Sequence, residues 1–202
     1  SLRRGEIPSA LDIPTGLGKT SVMALWLVAR ALGAPLPRRL IYVVDRRAVV
    51  DQATRVAERL RATVEQIPGL QAALGLPASG LPISTLRGQH ADNREWLSDP
   101  TAPAIVVGTV DMVGSRLLFE GYGVSRKMRP YHAGMLGADT LVLLDEAHLV
   151  PPFEHLLRAI VEPGAEAVFG PRDDAGAQVV PALRLMALSA TGRGARARQK
   201  GV

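Results

Sequence analysis

The sequence predicts an α/β domain with an open, mostly parallel sheet and helices on both faces. Three observations carry this reading. Apolar runs of strand length alternate along the chain with stretches of helical character. A glycine-containing turn, Thr15-Gly16-Leu17-Gly18, joins the first of those runs to a long apolar helix. A later run, Leu141–Leu144, ends directly in two adjacent carboxylates, Asp145 and Glu146.

In chain order, Ala10–Ile13 reads as a short strand, followed by a helix from about Lys19 to Leu32. That helix carries Val22, Met23, Leu25, Trp26, Leu27 and Val28, is apolar nearly all round, and is expected to be buried on several sides. Gly33, Pro35 and Pro37 end it. Leu40–Val44 is a continuous apolar run, as a central parallel strand requires. A helix from about Arg47 to Ala62 follows, with Val49, Ala53, Val56, Ala57 and Leu60 on one face and Asp51, Arg55, Glu58 and Arg61 on the other. Residues 68–82 read as a loop with one short helix. Further strands are expected at Leu81–Ser84, Ala104–Val107, Leu141–Leu144 and Leu183–Leu188. Residues 1–192 form one domain on this reading; residues 193–202, with Arg193, Arg196, Arg198 and Lys200 and no apolar partners, read as a basic tail or linker.

The turn at 12–20 has the composition of a phosphate-binding loop. Gly16 and Gly18 let the backbone N–H groups of Thr15 to Lys19 converge on an anion. Lys19 supplies a point charge for phosphates and Thr20 a hydroxyl for Mg²⁺, with Ser21 behind them at a positive helix N-terminus. The Walker A pattern asks for Gly or Ala where this chain has Ile13, so the match is one residue short. Its complement is the strand ending in Asp145-Glu146. Asp145 is placed to hold Mg²⁺, and Glu146 to orient and deprotonate an attacking water. Lys19, Asp145 and Glu146 are thus the candidate catalytic set, Thr20 and Asp145 the metal set, and ATP with Mg²⁺ the expected ligands.

Composition narrows the alternatives. The chain has 202 residues, 47% hydrophobic content and no cysteine, so disulfides and thiol chemistry are excluded and the usual zinc ligands are missing. His148 lies two residues beyond a carboxylate without further ligands, and His90, His132 and His155 have no ligand spacing; the last three read as surface or packing histidines. Ser189 lacks a nucleophile elbow. The net charge is +5, and only Lys19, Lys127 and Lys200 are lysines, the other basic residues being arginines; this suits phosphate recognition and equally suits a GC-rich coding bias. No run is long enough to span a bilayer and no secretion leader is visible, so a cytoplasmic protein without membrane partners is expected.

Together these residues resemble the first RecA-like lobe of superfamily-two helicases. Asp145-Glu146-Ala147-His148 is similar to that family's DExH box, and Ser189-Ala190-Thr191 to its coupling motif. Asp45, Arg46 and Arg47 after one strand, and Thr109 and Asp111 after another, sit where such motors grip a nucleic-acid strand. The series Ile13–Thr20, Leu86-Arg87-Gly88, Val107–Asp111, Gly114-Ser115-Arg116, Tyr131–Gly134 and Leu144–Leu149 resembles the helicase–nuclease of type I CRISPR systems. The resemblance implies an ATP-driven motor on single-stranded DNA, recruited by a guide-RNA surveillance complex. It also implies His148, Ser189 and Thr191 as coupling residues, and Asp45, Arg46, Arg47, Arg87, Gly88, Thr109 and Asp111 as DNA contacts. It further implies a second RecA-like lobe and a histidine–aspartate nuclease in a longer parent chain, and little hydrolysis by this piece alone. Two alternatives share the same residues: a DExH motor of restriction or repair, and a nucleotide-dependent interaction module. A binding module has no need of Glu146.

Overall fold

A computed structural model describes residues 2–14, 18–87, 93–161, 174–175 and 179–190. Its strands are β1 (Ala10–Asp12), β2 (Arg39–Val44), β3 (Ile83–Leu86), β4 (Ala104–Thr109), β5 (Thr140–Leu144) and β6 (Arg184–Ser189). They form one sheet in the order β1-β6-β5-β2-β4-β3, and every neighbouring pair is parallel. The helices are α1 (Ser21–Ala31), α2 (Arg47–Glu65), α3 (Pro68–Leu74), α4 (Glu95–Ser98), α5 (Val110–Leu117), α6 (Arg129–Gly137) and α7 (Pro151–Val161). No described helix is long and apolar enough to cross a membrane.

Side-chain alternation divides the core between the two faces of the sheet. Leu40, Tyr42 and Val44 of β2 and Leu141 and Leu143 of β5 pack with Val22, Met23 and Trp26 of α1 and Val50, Ala53 and Ala57 of α2. Ile41, Val43, Val142 and Leu144 face the other way, onto Met112 and Val113 of α5, Leu136 of α6 and Phe153 and Leu157 of α7. Both layers are dry, which is why β2 and β5 read as unbroken apolar runs.

Two expectations shift. β3 lies two residues beyond the expected Leu81–Ser84, because its polar residues find partners: Ser84 Oγ accepts from the Trp96 backbone N–H, and the Thr85 hydroxyl meets that of Thr54. The α1 helix is not buried on several sides. One face carries Met23 and Trp26 into the core, while Leu25, Val28 and Leu32 stay 53–59% exposed, a stripe at i, i+3, i+7.

The histidines divide as their surroundings dictate. His155 is exposed, and His90 lies outside the described residues. His132 is buried with its ring edge-to-face on Trp96, centroids 5.4 Å apart. Burial, then the Arg116 and Arg94 cations, push its pKa down to about 4. The unfolded chain therefore takes up a proton that the folded chain refuses, and stability falls as pH drops from about 6.5 through 4. Urea titrations at stepped pH check this: His132→Phe, which keeps a ring against Trp96, is expected to flatten the dependence across that window.

Candidate active site

Parallel strands present all their carboxyl ends along one edge. In register, Asp12 lies beside Ser189, Leu144 beside Ala187, Val43 beside Leu144, Val44 beside Thr109, and Gly108 beside Leu86. Every strand thus delivers a sequence-predicted residue to the same rim, where open α/β sheets bind ligands. The loop after β1 leads to Lys19, and β5 delivers Asp145 and Glu146. The ends of β2, β3, β4 and β6 lead to Asp45–Arg47, Arg87, Thr109 and Ser189. Thr15, Gly16, Leu17, Gly88 and Thr191 lie outside the described residues.

At the phosphate loop, Gly18 has φ +81°, in the left-handed region, and a Cβ there would approach the Ser21 Oγ to 2.8 Å. The left-handed backbone is what favours glycine, since the Ser21 hydroxyl can turn aside. The α1 helix begins at Ser21 rather than Lys19, with Thr20 as its N-cap; the Thr20 side chain makes no capping bond. The Lys19 side chain is nearly buried. Its Nζ forms a short ion pair with Glu146 Oε1 and lies 3.4 Å from Asp145 Oδ1.

Asp145 is engaged at both oxygens. Oδ1 accepts from the Glu146 backbone N–H at 2.9 Å, and Oδ2 accepts from the Tyr42 hydroxyl at 2.8 Å. Sequence reasoning missed Tyr42, which sits on the apolar run of β2. Parity was the available signal: Tyr42 and Asp145 fall on the same face of the sheet once β2 and β5 are known to pair. Burial, followed by the neighbouring Asp145 charge, raises the Tyr42 pKa well above the ordinary phenol value, so its hydroxyl stays a donor.

Glu146 has φ +47°, a left-handed conformation that is costly for a non-glycine residue and turns the chain sharply off β5. Its Oε2 is buried and accepts no hydrogen bond among the described residues; His148 Nδ1 lies 3.4 Å from it. The structure therefore brings His148 to Glu146. Ser189 is buried at the end of β6, and its carbonyl accepts from the Ile13 N–H at 2.9 Å, tying the root of the phosphate loop to the last strand.

The family model for DEAD/DEAH box helicases matches residues 7–197. The chain belongs to this family. It is a helicase ATP-binding domain of the DEAD/DEAH type, and its parallel six-stranded sheet is that of a RecA-like lobe. No curated protein sequence matches it. Among solved structures, the yeast DEAD-box splicing factor Prp28 shares its fold, with 14% identity and a TM-score of 0.51 over 94% of this chain. This chain spans only 38% of the length of the Prp28 chain. A nuclease-deletion mutant of the Type ISP restriction-modification enzyme LlaGI, in complex with a DNA substrate mimic, aligns with 14% identity and a TM-score of 0.44, over 92% of this chain and 16% of its own.

The residues present fit a magnesium nucleotide. Among the described residues no group of three or more His, Asp or Glu is placed to hold a metal ion by itself. A metal held at this rim would need substrate oxygens in addition to any that Thr20 and Asp145 supply, which suits Mg²⁺, a hard ion that favours oxygen and keeps water. The remaining expected contacts of the helicase domain are less uniform. Asp45, Arg46 and Arg47 are exposed at the start of α2, and Asp111 is exposed in the first turn of α5. Arg87 forms a short ion pair with Asp51, both about half exposed. Thr109 is buried, and its hydroxyl oxygen caps α5 by accepting from the Met112 N–H at 3.4 Å.

Proposed function

We propose that the domain is the first motor lobe of an ATP-dependent single-stranded DNA translocase, resembling the helicase–nuclease of type I CRISPR systems. The observation that carries the reading is the meeting of Lys19, Asp145 and Glu146 at one end of the sheet, from elements far apart in sequence. In ATP hydrolysis a water oxygen bonds to the γ-phosphorus, the bridging oxygen leaves with ADP, and the water proton needs an acceptor. Oε2 of Glu146, which accepts no hydrogen bond among the described residues and has His148 Nδ1 at 3.4 Å, is that acceptor, and Lys19 exchanges its carboxylates for the β- and γ-phosphates. Thr20 and Asp145 would hold Mg²⁺, which supplies charge compensation on the phosphate oxygens. A second lobe supplying arginine completes such sites, and its absence costs about 10³–10⁵ in rate, so the lobe alone turns over slowly. The guide-RNA complex and the nuclease are partners by resemblance; sequence flanking this lobe, read for a second motor lobe and a histidine–aspartate pair, separates this motor from a restriction or repair motor.

The exposed Arg46, Arg47 and Arg87 support a DNA path over the rim loops. These reach phosphates rather than bases, as sequence-independent movement requires. Fluorescence anisotropy with labelled single strands tests this. Binding is expected to weaken linearly on a log–log salt plot with little base preference, and Arg87→Ala to lower the slope by about 0.7, one phosphate contact. A strong base preference, or an unchanged slope, would remove the loop from the DNA path. The Asp51 pair does not stand in the way, because an ion pair this exposed is worth at most about 1 kcal/mol.

A further inference from the structure

We propose that the Tyr42 hydroxyl is a positioning group of the nucleotide site, fixing the plane of the Asp145 carboxylate so that Oδ1 alone is presented to the phosphate loop. The inference deepens the reading of Asp145 as a magnesium-holding residue and rests on it. The torsion that turns an aspartate carboxylate is broad and nearly two-fold, so nothing intrinsic to the side chain keeps one oxygen forward. Here each oxygen has its own donor. The Glu146 backbone N–H holds Oδ1 at 2.9 Å on the side where Lys19 Nζ stands 3.4 Å away. Tyr42 holds Oδ2 at 2.8 Å on the side of the sheet interior.

Tyr42 is suited to this task. Its ring is fully buried among Leu40, Val44, Leu141 and Leu143, so the hydroxyl has a fixed origin on the central strand. The β2–β5 register sets Tyr42 beside Leu143, two residues before Asp145, within diagonal reach on the same face. A buried phenol that lost this acceptor would be left with an unmade hydrogen bond, so the pair is favoured from both ends. Withdrawal of Oδ2 into the sheet also leaves the carboxylate one forward oxygen, which suits monodentate or water-mediated contact with Mg²⁺.

Tyr42→Phe tests the assignment, because it removes the hydroxyl and leaves the ring in the core. Nucleotide affinity of the full 202-residue chain is measured by titration with a fluorescent ATP analogue across a magnesium series and in EDTA, with thermal unfolding alongside. The expected result is a rise of about three- to tenfold in the magnesium concentration at half-effect, with affinity in EDTA unchanged. An unchanged magnesium midpoint, or an equal loss of affinity with and without magnesium, would overturn the assignment and leave Tyr42 a core residue. If the wild-type chain itself shows no magnesium-dependent nucleotide binding, the reading of the whole site fails, and this inference with it.

Discussion

Glu146→Gln is expected to lower ATP hydrolysis by about 10²–10⁴ under the proposed function, while leaving nucleotide bound at least as tightly. The two effects have separate causes. Hydrolysis falls because an amide oxygen cannot take the water proton that Oε2 is placed to accept. Binding does not fall because Glu146 also pairs with Lys19 and competes with phosphate for the same ammonium. Phosphate must displace that carboxylate, and glutamine competes without charge. Glu146 is about a quarter exposed, so the released competition is small, about 1 kcal/mol or up to fivefold in affinity. Single-turnover hydrolysis and equilibrium binding on the same preparation check both. Parallel loss of binding and turnover would show that Glu146 shapes the loop rather than the chemistry.

Lys19→Ala is expected to weaken nucleotide binding by about ten- to a hundredfold, the range for a lost charge-assisted contact to phosphate. The residue is nearly buried and reaches both Asp145 and Glu146, so its removal also leaves two carboxylates side by side with no cation between them. The expected signature is a combined one: weaker binding of the ATP analogue and a lower melting temperature of the nucleotide-free chain. A variant with wild-type affinity would place the phosphates elsewhere. Its comparison with Glu146→Gln is informative, because the two substitutions break the same ion pair and are expected to move affinity in opposite directions.

Much of this was legible in the sequence because of how burial works. β2, β4 and β5 are covered on both faces, so their runs have no polar interruptions and stand out. Ser84 and Thr85 hid where β3 begins and ends, not that it exists, because their partners lie on α4 and α2 and come together only on folding. The Walker residues were readable since phosphate chemistry demands their types at set spacing, and their meeting follows from the parallel topology. Tyr42 was not readable without strand register, because a tyrosine inside an apolar run looks like packing. The capping of α5 by Thr109 was equally hidden, since a threonine after a strand serves a helix or a ligand with the same hydroxyl.

Among the described residues, β1 pairs with the rest of the sheet through β6 alone. Its residues pair with Ala187, Leu188 and Ser189, Ile13 is held by the Ser189 carbonyl, and Arg184 reaches back to the Gly5 carbonyl across 179 residues. Of the described strands, the first in sequence therefore pairs with the last. At translation rates of about 5–20 residues per second, β1 leaves the ribosome on the order of ten seconds or more before its sole neighbour exists. Meanwhile β2 through β5 can pair among themselves, whereas joining β1 closes a loop of nearly the whole chain, the kind of contact that slows folding. Closing the β1–β6 pair is thus a long-range step, and it is the step that ties the segment before Gly18 and Lys19 to the rest of the sheet.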